Sequence, residues 1–578
     1  MSGRCIKGLI WAPMTSAPDR VGIRAVPLHL LCCEPMADGP QDSQKPSNDA
    51  AATPSAPATA WTPRFNPWLI GVVVALAAFM EVLDTSIANV ALPYIAGSLG
   101  ASNDQSTWVL TSYLVSNAIV LPVSGWFAGA LGRKRFFMTC LAIFTTSSLL
   151  CGIAPSLGGL LLFRIIQGAG GGGLQPMAQA ILADVFPPEK RGLAFALYGV
   201  TAIIAPTIGP TLGGWITDNY SWRWIFFINL PIGIVTLLLV YRLVDDPPWV
   251  KRKAGAGIKF DYIGISLLTL GVGGLQVMLD KGQEDDWFGS HFIITMAICA
   301  AVGLICFGIW EWFNKHPIVD MHMFENLNFL SANGMMFALG ILLFSSLVMM
   351  PLFLQTLMGY TAESAGLVLS GGGLLLLFLM PVAGILSSKV HARYLIAFGW
   401  FSLSIGMFIS SRFLDLQISF FSASILRLIQ VFGLGFLFVP INLASYVGMP
   451  IEKSNSVAGL VNFMRNIGSS VGTSLVTTLI DRRSQVHQNY LVANVTHGEP
   501  NFSNLVTGLT QHLIASGMNA ERAMQQAYGL AYQALIAQAT TLAYLDTFVF
   551  LATLSGIMFV LSFTLRKNEL GGPRVAME

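Results

Sequence analysis

Charged residues are scarce in this sequence. Asp, Glu, Lys and Arg together make up 11% of its 578 residues, whereas hydrophobic residues make up 54%. A soluble domain carries about 25% charged residues, because polar groups must cover its water-facing surface. The deficit excludes a soluble globular protein and predicts an all-α polytopic membrane protein embedded in a lipid bilayer. No basic run is interleaved with aromatic residues, so nucleic acid is not expected as a partner.

The sequence also lacks the signals of enzyme chemistry. Its seven cysteines have no metal-ligand spacing with histidine, and four of them lie in apolar runs, where cysteine behaves as a small hydrophobe. No histidine lies deep in an apolar run, and there is no nucleophile elbow and no phosphate-binding glycine loop. We therefore expect no catalytic residue, no metal ligand and no bound cofactor. Any transport would draw on an ion gradient rather than on ATP bound to this chain.

Long apolar runs make up most of what is present. A helix needs about 20 apolar residues to cross the hydrocarbon core of a bilayer, and fourteen segments between residues 68 and 565 approach or exceed that length. The predicted spans are 68–92, 106–128, 136–154, 157–185, 193–216, 223–243, 261–280, 291–312, 329–354, 364–387, 393–411, 419–447, 455–480 and 544–565. Most connections are short, but 482–543 is long and polar and contains amphipathic helical stretches.

The basic residues are unevenly distributed among the connections. Of the 32 Lys and Arg residues, 23 fall in the N-terminal segment, in loops after even-numbered spans or in the C-terminal tail, and six fall in the opposite loops. Cytoplasmic loops carry such an excess of positive charge, so both termini are predicted to be cytoplasmic. Residues 1–66 contain no span, and their composition from residue 37 onwards predicts disorder. A start of translation at Met36 would account for the segment, and N-terminal sequencing would test that hypothesis.

Three short motifs occur twice in the same order. The pairs are LPVSG (121–125) with MPVAG (380–384), RIIQGAGGG (164–172) with RLIQVFGLG (427–435), and IGPTLG (208–213) with IGSSVG (467–472). Their offsets of 259, 263 and 259 residues predict two six-helix halves related by a pseudo-two-fold axis, with two extra helices between them, in a 6+2+6 plan. Secondary transporters that work by alternating access have this layout, with the substrate site between the halves.

The repeat and the spans divide the chain into seven parts. They are a disordered cytoplasmic extension (1–66), a six-helix bundle (67–243), a linker with two extra transmembrane helices (244–313), five helices of the second bundle (314–481), a long extracytoplasmic loop with amphipathic helices (482–543), the last transmembrane helix (544–566) and a cytoplasmic tail (567–578). The last span is thus separated from the rest of its bundle by the long loop.

The first apolar run contains two acids, Glu81 and Asp84. An ionised carboxylate is costly in a low-dielectric interior, so acids within the membrane indicate proton or ion coupling by default. Residues three apart lie on one helix face with Cβ atoms about 5–6 Å apart, and we expect these two acids to titrate as a coupled pair. The structural alternatives are a capping role for Glu81 and a static ion pair for Asp84.

The segment LDTSIANVALP, residues 83–93, resembles the first-span signature of the fourteen-span drug:proton antiporters of the major facilitator superfamily, the EmrB/QacA type. Asn89 belongs to this signature, and Ser86 stands where the family usually has Thr. The resemblance covers residues 65–566 and implies the MFS fold with 14 transmembrane helices. It also implies proton-driven efflux of drugs or other amphipathic, often cationic, small molecules across the inner membrane by alternating access.

Two further motifs continue the resemblance. It places Arg164 of RIIQGAGGGG near the proton site, with Asp84 as the candidate partner, because an arginine in the membrane stays protonated and needs a counter-ion. Gln167 and Gly168 are assigned to the substrate cavity or to helix packing. The fifth span carries the antiporter motif APTIGPTLGGW, whose residues are Ala205 in place of the first glycine, Gly209, Pro210, Gly213 and Gly214. The alternative for that motif is an ordinary kinked packing helix.

The loop between spans 2 and 3 resembles the gating loop of the superfamily. Gly125, Gly132, Arg133 and Lys134 match the pattern, whereas Gly129 stands where the pattern has an acid. A charge relay that depends on that acid has no acidic residue at this position. The basic residues are predicted to hold the cytoplasmic gate through helix-end carbonyls, and simple positive-inside anchoring is the alternative.

Arg427 and Arg465 are the intramembrane charges of the second half. We assign both, together with Asn89, to the substrate cavity or helix packing. Static structural pairing is the alternative for each arginine.

The resemblance bears on partners and on rival functions as well. EmrB-like members work with a membrane-fusion adaptor and an outer-membrane channel, and the amphipathic helices of 482–543 would dock such an adaptor. Those helices would otherwise lie on the membrane surface or pack on the bundle. The rival functions are a dedicated exporter of one metabolite, such as a siderophore, fatty acid or antibiotic, and a non-transporting membrane sensor or scaffold.

Overall fold

The computed structural model describes residues 63–247, 261–493, 495 and 499–566. Within those ranges the chain is helical, with no β-strand. The predicted extension 1–66, apart from its last four residues, and the predicted tail 567–578 lie outside the described residues. The helices are α1 (Pro67–Leu99), α2 (Asn103–Leu131), α3 (Arg133–Gly152), α4 (Leu157–Gly171), α5 (Leu174–Val185), α6 (Arg191–Asn219), α7 (Trp224–Phe227), α8 (Asn229–Leu243), α9 (Tyr262–Lys281), α10 (His291–Phe313), α11 (Leu327–Thr356), α12 (Ala362–Leu386), α13 (Ala392–Phe413), α14 (Phe420–Phe432), α15 (Phe438–Ser445), α16 (Ser454–Val492), α17 (Pro500–Ala515) and α18 (Ala520–Leu561).

The membrane-spanning helices follow the predicted order. Among the described residues, thirteen helical segments are long and apolar enough to cross a membrane. α16 is not one of them, because Asn, Ser, Thr and Arg are frequent along it, but it is 39 residues long and packs against α2, α11 and α18. With α16, the described chain contains the fourteen predicted spans, six on either side of the two extra helices α9 and α10.

Three spans are broken rather than continuous. The fourth span consists of α4 and α5, the sixth of α7 and α8, and the twelfth of α14 and α15. A Cβ atom on Gly172, at the first break, would lie 2.6 Å from the carbonyl oxygen of Asn117. A Cβ atom on Gly433, at the third break, would lie 2.5 Å from the carbonyl oxygen of Gly399. Neighbouring backbones therefore approach closely at both breaks, which the internal repeat places at equivalent positions.

The two halves touch closely at one end of the bundle. This end carries Arg133 and Lys453 and is called the basic end below. A Cβ atom on Gly192, in the first turn of α6, would lie 2.4 Å from the carbonyl oxygen of Gly384 in α12. Only glycine permits this contact between the two backbones, so the halves are closed against each other at the basic end.

The long connection before the last span differs from its prediction. The amphipathic helices predicted within 482–543 are present, but they are continuous with the spans, because α16 continues to Val492 and α18 begins at Ala520 rather than at 544. No proline interrupts α18, which buries one side chain per turn along a stripe. The stripe consists of Ala523, Ala527, Ala531, Leu535 and Ala539. α17 packs on this stripe through Val506. Residues 482–543 are therefore named the helical extension below.

Candidate functional site

A cavity of about 320 Å³ lies between the two halves. Small-molecule sites typically have volumes of about 300–1,000 Å³. α1, α2, α5 and α6 line the cavity from the first half, α11, α15 and α16 line it from the second half, and the extra helix α9 contributes one residue. The charged residues that line it are Glu81, Asp280 and Arg465, and α11 supplies an apolar wall that includes Phe344 and Leu347. The cavity therefore combines apolar surface with few, separate charges.

Glu81 places its carboxyl group in this cavity. Its Oε1 accepts hydrogen bonds from the Tyr113 hydroxyl (3.2 Å) and from Asn117 Nδ2 (2.9 Å), and its Oε2 accepts one from Gln175. The break before α5 puts Gln175 in the first turn of that helix, where it faces the cavity. Gln175 also accepts a hydrogen bond from Arg465 in α16. One side-chain amide thus links the carboxyl group of the first half to a guanidinium of the second.

Asp84 lies inside the first half, not on the cavity wall. Its Oδ2 pairs with Arg164 Nη1 at 2.6 Å, and its Oδ1 accepts hydrogen bonds from Gln167 Nε2 (3.0 Å) and Asn229 Nδ2 (2.7 Å). The side chains of Asp84 and Arg164 are 1% and 0% exposed, so the pair is removed from water. The break between α7 and α8 supplies Asn229, which begins α8. The predicted contact between Arg164 and Asp84 is confirmed.

The two acids of α1 have separate surroundings. Residues at i and i+3 differ in direction by about 60° around a helix axis, and here that angle sends Glu81 toward α5 and Asp84 toward α4 and α8. The carboxyl groups share no hydrogen-bond donor among the described residues. Tyr113 contacts both sites, because its hydroxyl binds Glu81 and its ring lies 4.2 Å from the guanidinium of Arg164. That the two acids titrate as a pair stays a prediction.

The other residues assigned to the cavity or to packing divide into two groups. Asn89 and Arg465 line the cavity. Gln167 is buried beside Asp84, and Gly168 packs α4 against α2, since a Cβ atom there would lie 2.3 Å from the carbonyl oxygen of Tyr113. Neither Gln167, which donates to Asp84, nor Gly168 lies on the wall of the cavity, and their assignment to the cavity or to packing stays a prediction.

Arg427 repeats Arg164 in the second half, with different partners. Its Nη1 donates to the carbonyl oxygen of Ser346 (3.2 Å) and to Gln430 Oε1 (3.3 Å). Gln430 follows Arg427 by three residues, as Gln167 follows Arg164. No carboxylate of the described chain forms an ion pair with Arg427. The ion pair of the first half therefore has no counterpart in the second.

The antiporter motif forms the contact of α6 with α1. A Cβ atom on Gly209 would lie 2.3 Å from the hydroxyl of Ser86, and one on Gly213 would lie 3.1 Å from the backbone of Ile87. Gly214 has only Val90 nearby, at 3.9 Å. The remaining motif residues are Ala205, which is buried, and Pro210, which lies within the helix. The glycines hold α6 against the part of α1 that follows the two acids.

The predicted gate residues all lie at the basic end. A Cβ atom on Gly125 would lie 2.8 Å from Ser456 in α16, so this glycine lets the halves meet. Gly132 joins α2 to α3 with φ +88°, a conformation that side chains other than glycine rarely adopt. Gly129, in place of the expected acid, is exposed and has no neighbour within 4 Å.

The two basic gate residues have different contacts. Arg133 is 2% exposed and bridges the halves, because it pairs with Asp184 in α5 and donates to Ser454 in α16 at 2.8 Å. Lys134 donates to the carbonyl oxygen of Tyr241 at the end of α8, at 2.8 Å. The prediction of contacts to helix-end carbonyls therefore holds for Lys134, whereas Arg133 uses side-chain oxygens.

Replacing Gly192 with Val is expected to block closure at the basic end. The new Cβ atom would meet a backbone oxygen of Gly384, which cannot move aside as a flexible side chain can. We expect uphill transport to fall at least about tenfold while substrate binding persists, because the variant is confined to one side of the transport cycle. The measurement is substrate uptake into proteoliposomes. It is paired with labelling of Asn466→Cys, introduced on the cavity wall of a variant without the seven native cysteines, by an impermeant thiol reagent added at the basic end.

The matched control for this variant is Gly129→Val, which adds the same side chain where nothing lies within 4 Å. It should transport at the wild-type rate. Wild-type transport by Gly192→Val would show that the contact with Gly384 does not take part in gating.

Sequence reasoning missed three residues of these networks. Gln175 follows the glycine run and Asn229 lies within the apolar sixth span, but a single amide in a long apolar run carries no distinctive pattern. Asp280 stands at the end of the seventh predicted span, where an acid looks like the polar flank of a helix. A search for every Asp and Glu within one turn of a span end would have found Asp280.

Comparisons with known proteins agree with this arrangement. The sequence pattern of the Major Facilitator Superfamily matches residues 74–473. Multidrug export protein EmrB of Haemophilus influenzae is 38% identical over 492 residues, which are 85% of this chain and 95% of that protein. Fatty acid resistance protein FarB of Neisseria gonorrhoeae is 38% identical over 77% of this chain and 87% of that protein.

Solved structures show the same fold. The human organic anion transporter MFSD10 superimposes with a TM-score of 0.52 over 86% of this chain and 100% of its own, at 15% identity. A likeness at that identity shows the fold alone. The family pattern and the two relatives cover most of the chain, and they confirm the resemblance found in the motifs. The chain belongs to the Major Facilitator Superfamily.

Proposed function

We propose that this chain exports drugs or other amphipathic, often cationic compounds across the inner membrane in exchange for protons. The observation that carries the proposal is the position of Glu81, a buried carboxyl group on the wall of a cavity between two related halves. An intramembrane acid in such a cavity is the usual site of proton coupling in transporters. The names of the relatives, which include a multidrug export protein, support drug efflux.

The hydrogen bonds of Glu81 offer a way to couple its protonation to movement. Ionised Glu81 attracts Arg465 through Gln175, so the first half holds the second at this point. A proton on Glu81 removes the charge and weakens the contact, which favours separation of the halves there. With the cavity open to the cytoplasm, Glu81 releases its proton and substrate binds. With the cavity open to the outside, protonation from the more acidic side releases substrate.

The driving force limits the stoichiometry. Exchange of one proton for one monovalent cation moves no net charge, so the gradient supplies about 1.4 kcal/mol, or tenfold accumulation, per pH unit. A neutral substrate, or a second proton, adds about 2.3 kcal/mol per 100 mV of membrane potential. A multidrug exporter with both kinds of substrate would therefore reach a higher concentration ratio for neutral compounds than for monovalent cations when a membrane potential is present.

Orientation and partners follow from the charges and the helical extension. The basic end carries the excess of Lys and Arg, which supports a cytoplasmic position for it and for both termini. The helical extension would then lie outside the membrane, and its exposed apolar residues include Tyr490, Leu505 and Tyr532. Such a surface supports docking of a membrane-fusion adaptor that leads to an outer-membrane channel. A variant without residues 485–539, whose flanking residues Ser484 and Thr540 have hydroxyl groups 3.0 Å apart, should no longer retain the adaptor in a pull-down. Retention would contradict this docking site.

The purified protein in proteoliposomes tests the proposed function. An imposed pH gradient should drive accumulation of amphipathic cations, and adding the same compounds to detergent-solubilised protein in weakly buffered solution should release protons. A panel of unrelated compounds separates the proposal from its alternative, a dedicated exporter of one metabolite. The largely apolar wall of the cavity and the name of FarB favour a fatty acid as the substrate of that alternative. If none of the compounds were transported in exchange for protons, both the proposal and its alternative would be contradicted.

A further inference from the structure

Asp280 is a second carboxylate of the cavity that the proposed proton site does not use. It lies in the last turn of α9, the first of the two extra helices, and lines the cavity beside the two halves. Its Oδ1 accepts a hydrogen bond from Gln276 Nε2 at 3.0 Å, and Thr111 of α2 lies alongside the carboxyl group. Its Oδ2 is shielded from solvent and has no hydrogen-bond partner among the described residues.

The cations around Asp280 are engaged elsewhere. Lys281 points to the start of α2, where its Nζ donates to the carbonyl oxygen of Asp104 at 3.2 Å, and it also pairs with Glu284 at 2.5 Å. Arg465, the other cation on the cavity wall, is held by Gln175. No ion pair joins Asp280 to any Lys, Arg or His in the part of the chain that the structure describes. When it is ionised, Asp280 therefore has no cationic side chain as a partner within that part.

Contacts to both halves fix the position of Asp280. Gln276, which is 1% exposed, donates to Asp280 and to Ser470 of α16 (2.8 Å). Seven residues further, just after α9 ends, Gln283 donates to Asp481 of α16 at 2.6 Å. α9 packs against α2 as well. The extra helix is thus anchored at the seam between α2 and α16 and is more than a connection between the halves.

We propose that Asp280 recognises substrate by holding the positively charged group of an amphipathic cation in the cavity, apart from the proton-carrying Glu81. The inference rests on the proposed function and names the substrate class of that same site. A carboxylate without an ion-pair partner attracts a cation strongly where water is excluded, because the local dielectric constant is low. Leu110 and Leu114 of α2 line the cavity too and would pack on the apolar body of the ligand. The linker helix of the 6+2+6 plan thereby takes part in substrate selection.

Two probes of similar shape and different charge test this role. Tetraphenylphosphonium is a lipophilic monocation, and triphenylphosphine oxide is uncharged with a similar aromatic framework. The Asp280→Asn variant of the full chain should bind tetraphenylphosphonium about tenfold or more weakly, since the Coulombic attraction between the carboxylate and the cation is lost, and should bind triphenylphosphine oxide as the wild type does. Asp280→Glu should restore most of the affinity for the cation. Asp285→Asn, an exposed acid four residues after Lys281, is the matched control and should change neither affinity.

The outcomes separate this inference from the proposed function. Equal affinity of Asp280→Asn and wild type for the cation, or an equal loss for both probes, would overturn the recognition role. Loss of proton release in Asp280→Asn when the neutral probe is added would also overturn it, because Asp280 would then carry a proton rather than a substrate. A wild-type protein that binds both probes without any proton release would contradict the proposed proton coupling and leave the charge selectivity of Asp280 measurable.

Discussion

Replacing Glu81 with Gln is expected to abolish uphill, proton-driven efflux while downhill exchange of substrate continues. The amide keeps the shape of the side chain and an acceptor oxygen for Tyr113 and Asn117, so the fold of α1 should persist. It has no proton to release in the working pH range, so no gradient energy can be passed to the substrate. Without the negative charge, the link through Gln175 to Arg465 also weakens.

The measurement is proton release on substrate addition, combined with uphill uptake and substrate exchange in proteoliposomes. Release and uphill uptake should fall to background in Glu81→Gln, and exchange should remain within about threefold of wild type, because the cavity itself is unchanged. Glu363→Gln is the matched control, since Glu363 is an exposed acid in the first turn of α12. Unchanged proton release in Glu81→Gln would show that another acid is the proton site.

The architecture could be predicted because it follows from composition and repetition. Fourteen apolar runs and three repeated motifs give the 6+2+6 plan without any knowledge of contacts. The repeat identifies a span even where hydropathy is weak. It shows that α16 is the counterpart, in the second half, of the apolar α6 in the first half. Within the helical extension the amphipathic helices were predicted, but their continuity with the flanking spans was not. A polar sequence rich in Ala, Gln and Leu continues a helix beyond the membrane as readily as it forms a loop, and the difference depends on packing against α17.

The site could be predicted only in part. An acid in an apolar run is visible in the sequence, but which of Glu81 and Asp84 faces the cavity depends on the rotation of α1 against its neighbours. The donors that distinguish the two acids come from distant segments, with Gln175 94 residues from Glu81 and Asn229 145 residues from Asp84. Spacing within one helix carries no information about such contacts. The resemblance of motifs identifies the residues that take part, but it does not predict how they are arranged around the two acids.

Replacing Asp84 with Asn is expected to destabilise the protein by about 3–5 kcal/mol, because it leaves the guanidinium of Arg164 buried without a counter-ion. The side chain of Arg164 has no exposure to water, and Arg does not lose its proton in proteins. The thermal unfolding midpoint in detergent measures the effect. The pair of Lys453 with Asp320 is the matched control, since its side chains are 43% and 26% exposed. Asp320→Asn should lower the free energy of unfolding by only about 0–1 kcal/mol.

A second substitution separates the structural role of Asp84 from a role in proton transfer. The double variant Asp84→Asn with Arg164→Gln removes both buried charges, and it should recover most of the lost stability because neutral side chains of similar size satisfy the same site. If Asp84 also carries a proton, as the resemblance implies, the stable double variant will still lack proton-coupled transport. Transport at the wild-type rate would assign the pair to structure alone and leave Glu81 as the proton carrier of α1. An Asp84→Asn protein as stable as the wild type would contradict the ion pair itself, since no other carboxylate among the described residues contacts Arg164.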